Sequence, residues 1–225
     1  MDTQALHIGN GIIDGRTSAL FAVLAAAAVA VCVMRARRDL DDRLAPMAGL
    51  VAAFVFAAQM LNFPVLPGVS GHLLGGALAA LLVGPWVGAL CVTVVLIVQA
   101  LLFADGGVTA IGLNVTNMAI LGTAAAYVLI AALLRILPLA AIAVIASVGS
   151  AVVASQGFVL QYMLGGGGSV DLGTVAVALA GPHVLIGLGE GLITAITVTT
   201  VARTRPDLVY ALRRVPRAAE PVLAS

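Results

Sequence analysis

The chain has no lysine, one tryptophan, two cysteines and very little charge of either sign. Charged residues make up 9% of its 225 residues, against roughly a quarter in a soluble domain. Too few charged groups exist to cover a water-facing surface of that size, which excludes an ordinary soluble protein. Cys32 and Cys91 both fall inside apolar runs, where packing is a simpler role than ligation or a disulfide. Barrel strands are excluded as well, because the apolar runs lack a period-two alternation. The glycine run from Gly165 to Gly168 is followed by no Lys-Ser/Thr, so it is no phosphate-binding loop, and no nucleotide site is recognisable. An intramembrane hydrolase lacks support: there is no His-Glu-x-x-His, no paired intramembrane Asp and no Ser–His pair at sensible spacing. Met1 to Arg16 has no basic region followed by an apolar stretch, unlike a cleavable signal peptide.

What is present is apolar: 62% of residues are hydrophobic, with Ala, Leu and Val dominating from Thr17 to Val201. A bilayer core demands that every backbone polar group be satisfied internally, so the expected fold is an all-α polytopic membrane bundle. At about 20 residues per span, the length suits about seven transmembrane helices. The expected spans begin near Thr17–Met34 and Ala45–Leu61. Two prolines in Phe63–Gly68 then break the chain. A short third run covers His72–Val83, ending at Gly84-Pro85, and a fourth covers Trp86–Phe103. Ile111–Leu134 and Leu139–Leu164 follow. Asp171–Ala180 reads as too short to span alone, with Pro182 opening a last span to Ala202.

Arginine supplies all of the fixed positive charge. Arg35, Arg37, Arg38 and Arg43 share one loop, Arg135 lies in another, and Arg203, Arg205, Arg213, Arg214 and Arg217 lie in the tail. Only Arg16 stands elsewhere. Positive-inside bias then places the N-terminus outside and the C-terminus in the cytoplasm, and an odd number of spans agrees. The expected division is an extracytoplasmic segment at 1–16 packing into the bundle, a transmembrane domain at 17–202 and a cytoplasmic basic tail at 203–225. The basic clusters read as topology signals, so lipid and no nucleic acid is the expected surrounding, in a cell membrane.

Polar residues at membrane depth are candidates for function. His7 sits in a glycine-broken apolar segment, Leu6 to Asp14, that could fold inward among the helices. His72 opens the third span from the same face. Two imidazoles brought together there would suit a borderline divalent metal, and interfacial histidines are the simpler alternative. His183 and Glu190 are two helical turns apart and share one face of the last span. An isolated carboxylate there is costly, so Glu190 is either held by a structural hydrogen bond or part of an ion or proton relay. Asn114 and Asn117 fit interhelical bonds of about 0.6 kcal/mol each. Gln156 and Gln161 belong to the same set, whereas Gln59, Asn62 and Gln99 lie near expected span ends. Ala22, Ala26 and Ala30 form a small-residue stripe on the first span, for close packing within the bundle or for docking a partner helix.

Several stretches together resemble the cobalt/nickel substrate-binding membrane components of energy-coupling-factor transporters, the CbiM/NikM type. They are His7–Ile12, Gly71–Leu78 with Val83–Trp86, Gln99–Gly107 with Gly112–Val115 and Met118-Ala119, and Ile186–Thr194. The resemblance implies Co²⁺ or Ni²⁺ uptake as substrate, with no prosthetic group and no catalysis by the chain itself. It also implies a transmembrane coupling protein, cytosolic ATPase subunits and a small accessory membrane subunit. In the family the ion is held square-planar by the N-terminal amine, the amide and imidazole of a His in position two, and a second His. His7 and His72 occupy the two imidazole positions, with Asn10, Asn114, His183 and Glu190 in supporting places.

The chain departs from that pattern at its start. The first His is residue 7, residue 2 is Asp, Asn10 replaces an Asp and Ile12 an aromatic. Trimming between Ala5 and Leu6 would restore a free amine beside His7. Otherwise another ligand replaces the amine, or the metal site is altered or lost in a vitamin-type or structural membrane subunit.

Overall fold

A computed structural model of the chain describes residues 7–39, 41, 44–61, 63–66, 69–167 and 171–213. The described chain is overwhelmingly helical, as lipid requires of a backbone that cannot bond to water. Five helical stretches are long and apolar enough to cross a membrane: Gly15–Asp39, Pro85–Leu102, Val108–Leu133, Leu139–Gly165 and Leu172–Thr204. Leu44–Gln59 is a shorter apolar helix.

Helix α1 (Gly15–Asp39) begins at Asp14. Its carboxylate accepts the N–H groups of Arg16 at 2.8 Å and Thr17 at 3.0 Å, with the Thr17 hydroxyl at 2.9 Å. Bonds from Thr17 hold that carboxyl below its ordinary pKa. Helix α2 (Leu44–Gln59) leads into a small antiparallel hairpin, β1 (Phe63–Leu66) and β2 (Val69–Gly71), with Phe63 opposite Gly71. Helix α2 thus ends before Pro64, and the two strands beyond it pair antiparallel.

The third apolar run is less helical than its hydropathy suggests. Residues 72–75 are irregular, and α3 covers only Gly76–Val83. An eight-residue helix is about 12 Å long, less than half the bilayer core. All eight residues are buried, so α3 is the centre of the bundle. Gly84 separates it from α4 (Pro85–Leu102), which Pro85 starts at a position where its missing N–H has no cost.

The next span is composite. A 3₁₀ turn at Val108–Ala110 leads into α5 (Ile111–Asn114), a π-helix over Val115–Gly122 and α6 (Thr123–Leu133). Eight residues of π-helix widen the backbone beside Asn114, Asn117 and Met118, a placement π segments often take at functional sites.

Helices α7 (Leu139–Gly165) and α8 (Leu172–Thr204) form the longest seam in the molecule. A Cβ on Gly187 would lie 2.6 Å from the Val148 Cα, and one on Gly191 would lie 2.7 Å from the Val144 Cα. This Gly-x-x-x-Gly pair lets the two backbones meet, and that contact replaces a hydrophobic driving force that lipid does not supply.

Helix α8 corrects one expectation. Pro182 does not open the last span: it lies inside a single 33-residue helix that includes the segment expected to be too short. Proline removes one helical N–H, but neighbouring helices and side chains can satisfy the freed groups inside a membrane. Here the His183 ring gives an Nδ1 contact to the Leu179 carbonyl at 2.8 Å, within the turn that Pro182 disturbs. After α8, a 3₁₀ turn at Pro206–Leu208 and the short α9 (Tyr210–Arg213) bring Val209 and Tyr210 back into the core beside α3.

Candidate functional site

The site begins with residues 7–14, a non-helical segment that buries His7 and Ile13 and is tied to the bundle at Ile8, Asn10 and Asp14. Asn114 brackets Ile8: its Oδ1 accepts the Ile8 N–H at 3.1 Å and its Nδ2 donates to the Ile8 carbonyl at 3.2 Å. The Gly107 N–H donates to that same carbonyl at 2.9 Å. Asn10 accepts from the Thr109 N–H at 3.0 Å and its hydroxyl at 2.7 Å. At the far end the Asp14 N–H donates to the Gly165 carbonyl at 2.8 Å.

The segment delivers His7 to His72. Both rings are buried, with 7% exposure each, and their centroids are 4.7 Å apart with planes tilted by 59°. His7 Nδ1 lies 3.2 Å from Asp105 Oδ1. His7 Nε2 is buried with no hydrogen-bond partner among the described residues. Such an orphaned atom in a native fold needs a ligand, water or ion to explain it. Gly106, at φ +87°, forms the turn beside this ring. A Cβ there would lie 3.0 Å from the His7 Cβ, so both the turn and the approach need glycine.

His72 is held from below. Its Nδ1 is 2.7 Å from the Leu73 carbonyl. A carbonyl only accepts, so Nδ1 carries the proton and Nε2 carries the lone pair. The Leu74 N–H donates to Glu190 Oε2 at 2.7 Å, and the Leu74 carbonyl accepts from Gln59 Nε2 at 2.7 Å. Backbone N–H groups of Gly75 and Ala77 also face the same carboxylate. Fully buried Glu190 therefore caps the N-terminus of α3, where helix dipole and free donors favour an anion. Of the two readings of Glu190, the hydrogen bonds are those of the structural one.

A cavity of about 210 Å³ opens beside the pair. His7, His72, His183, Asn114, Asn117 and Met118 line it with a few apolar side chains. Asn117 and Gln161 form a reciprocal amide pair at 2.8 and 2.9 Å on its wall. Gln156 Nε2 donates to the Ala176 carbonyl at 3.3 Å and ties α7 to α8. Gln99 is fully buried, and its amide has no partner among the described residues. Ala22, Ala26 and Ala30 face outward from the chain, although the Ala22 backbone abuts Gly112 of α5. Asn62 and residues 1–6, including the Ala5–Leu6 junction, lie outside the described residues.

Two residues in this arrangement carried no role in the sequence. Asp105 orients His7, and Gln59 closes the clamp on Leu74. Asp105 had a signal in the Asp-Gly-Gly turn, whereas Gln59, at a helix end, had none.

Spanning helices around a small cavity lined by His7, His72 and His183 define a multi-pass membrane protein. Residues 7–208 match the family described as the cobalt uptake substrate-specific transmembrane region, CbiM, and the chain belongs to that family. It is 34% identical to the cobalt transport protein CbiM of Sorangium cellulosum, over 92% of this chain and 96% of that one. It is 33% identical to the fused nickel transport protein NikMN of Rhodobacter capsulatus, over 96% of this chain and 67% of that one. A crystal structure of a truncated transition metal transporter superimposes with a TM-score of 0.75 at 25% identity, covering 88% of this chain and 99% of that one.

Proposed function

We propose that the chain is the substrate-binding membrane component of an energy-coupling-factor transporter for Co²⁺ or Ni²⁺, and that His7 and His72 hold the ion. The observation that carries this reading is the meeting of those two buried rings at 4.7 Å, with His7 Nε2 left without a partner among the described residues. Imidazole nitrogens suit borderline first-row ions and not Mg²⁺ or Ca²⁺. Among the described residues no three His, Cys, Asp or Glu side chains converge on one point, so the remaining ligands come from backbone groups or the chain start. Trimming to Leu6 would supply an amine beside His7. A cavity of about 210 Å³ falls below the roughly 300–1,000 Å³ of sites for drug-sized ligands, which weighs against a vitamin-type cargo.

In this reading the chain has seven spans, α3 being a half-length one, with the N-terminus outside and the tail inside. Residues 1–16 are the extracytoplasmic segment packing into the bundle, 17–202 form the transmembrane domain and 203–225 are the cytoplasmic basic tail. With no recognisable nucleotide motif in the chain, ATP hydrolysis belongs to separate cytosolic subunits linked through a transmembrane coupling protein. The outward Ala22, Ala26 and Ala30 offer a close-packing face to that protein or to a small accessory subunit.

The test is calorimetric titration of the purified chain with Ni²⁺ and Co²⁺, beside His72→Ala. Loss of binding in the variant supports the site, and parent-like affinity overturns it. The N-terminal mass of the same preparation shows whether Leu6 is the first residue.

A further inference from the structure

A third imidazole faces the same cavity. His183 lies on α8 and lines the cavity together with His7 and His72. Its Nδ1 is 2.8 Å from the Leu179 carbonyl. Since a carbonyl only accepts, the proton sits on Nδ1, and Nε2 is left as a lone pair. This is the tautomer a metal-ligating histidine adopts, with the other nitrogen bonded to a backbone carbonyl. His72 is in the same state through Leu73. Yet His183 does not converge with the buried pair as a third ligand, because the described residues contain no cluster of three metal-binding side chains. It is also less deeply buried than they are.

We infer that His183 is a transient ligand, a way-station that takes the divalent cation on its passage between the cavity mouth and the His7–His72 pair. This rests on the reading that the pair holds the ion. A hydrated first-row cation cannot shed its water at once in an apolar cavity without a large desolvation cost. An imidazole partway along replaces one water before the final ligands replace the rest. The other polar groups on the cavity wall are already engaged, Asn114 with Ile8, Asn117 with Gln161 and Ser155 with the Val152 carbonyl, and Leu179 and Phe158 are apolar. The Pro182 turn fixes the station, because the Nδ1 bond to Leu179 ties the ring to its own helix. A station on the path lowers the barrier in both directions. It speeds loading and unloading equally and leaves the equilibrium at the pair where it was.

The experiment is stopped-flow exchange of Ni²⁺ between a chromophoric chelator and the purified full chain in detergent, with calorimetry alongside. The key variant is His183→Asn, whose amide N–H replaces Nδ1 toward Leu179 while the Nε2 lone pair is lost. His183→Gln, which retains an oxygen lone pair near the Nε2 position, is the second. If the station exists, association and dissociation rates of the Asn variant both fall, by roughly tenfold. Their ratio stays within a factor of two or so of the parent, and Gln recovers part of the speed. Parent-like rates in the Asn variant overturn the inference and leave His183 a structural residue. Faster dissociation with unchanged association also overturns it, by making His183 a resident ligand. Should the Asn variant fail to fold, parent-like rates in His183→Ala with imidazole absent overturn it, and restored speed on adding imidazole supports it. A parent chain that binds no Ni²⁺ refutes the earlier reading at the first titration, before any variant is compared.

Discussion

Helices α1 and α3 are both apolar, and both are capped by a carboxylate, yet they belong to different environments. Helix α1 runs for 25 residues, and only 22% of its apolar window is buried within the chain. Helix α3 runs for eight residues, all of them buried. Asp14 caps α1 from the adjoining position in sequence and is exposed. Glu190 caps α3 from the last long helix and is fully buried. The comparison separates two uses of hydrophobicity. In α1 it satisfies lipid, which is indifferent to shape. In α3 it satisfies protein, which is not. A transport component needs both: a compliant outside and an inside that holds a ligand-bearing loop in one place.

Removing the remote cap should have the largest effect. Glu190→Leu leaves the Leu74 N–H and the first donors of α3 buried without an acceptor, at about 1–3 kcal/mol for each orphan. The melting temperature in detergent should drop, and Ni²⁺ affinity should fall by roughly tenfold or more as His72 loses its support. Glu190→Gln keeps an acceptor and should restore most of both. Parent-like melting of the Leu variant would remove α3 from its special place in the comparison.

Packing gives the next contrast. Ala79, with 0% exposure, admits no added atoms, and Ala79→Leu should cost about 1–3 kcal/mol. Val23 on α1 is 68% exposed, and Val23→Leu should stay within about 0.5 kcal/mol. Denaturation of the two variants side by side checks this, and equal shifts would erase the distinction between helices.

The smallest effect concerns the local cap. The Asp14 carboxyl is held below its ordinary pKa by Thr17, so the folded chain binds its proton less readily than the unfolded chain. Its contribution is therefore present above the ordinary carboxylate range and is lost as pH falls through the lowered value. Hydrogen exchange at the Arg16 and Thr17 amides should show protection that titrates in the parent and does not titrate in Asp14→Asn. Identical pH profiles would deny the cap any charge dependence.

These two caps also mark how far the sequence could be read. Asp14 with Thr17 three residues later is a local pattern, and α1, α4 and α7 follow from runs of apolar residues that need only a length and a boundary. The boundary failures have local causes that tertiary structure overrides. Pro182 reads as a helix start because proline usually ends or opens helices, but α7 and the His183 ring support the helix through it. Residues 72–75 read as helix because they are apolar, yet the hairpin before them and Glu190 behind them hold them irregular. At the site, His7, His72, Asn114 and Glu190 were visible as polar groups out of place. Gln59, the partner of Leu74, was not, since it looks ordinary until the bundle closes around it, and Asp105 showed only as part of an Asp-Gly-Gly turn. Nor does the Gly187–Gly191 seam announce itself among 25 glycines.

The clamp on Leu74 also orders events in time. Glu190 is made 116 residues after the peptide it caps. At about 5–20 residues per second, a ribosome needs roughly 6–23 s to cover that distance. His7 and His72 leave the ribosome well before Glu190 is made, and until then the loop between hairpin and α3 has no anion at its base. The loop that carries His72 is thus secured only when the last helix is in place. A chain that stalls or is cleaved before α8 carries both histidines and still lacks the anion beneath Leu74, so a rigid His72 loop becomes a mark that α8 has been made.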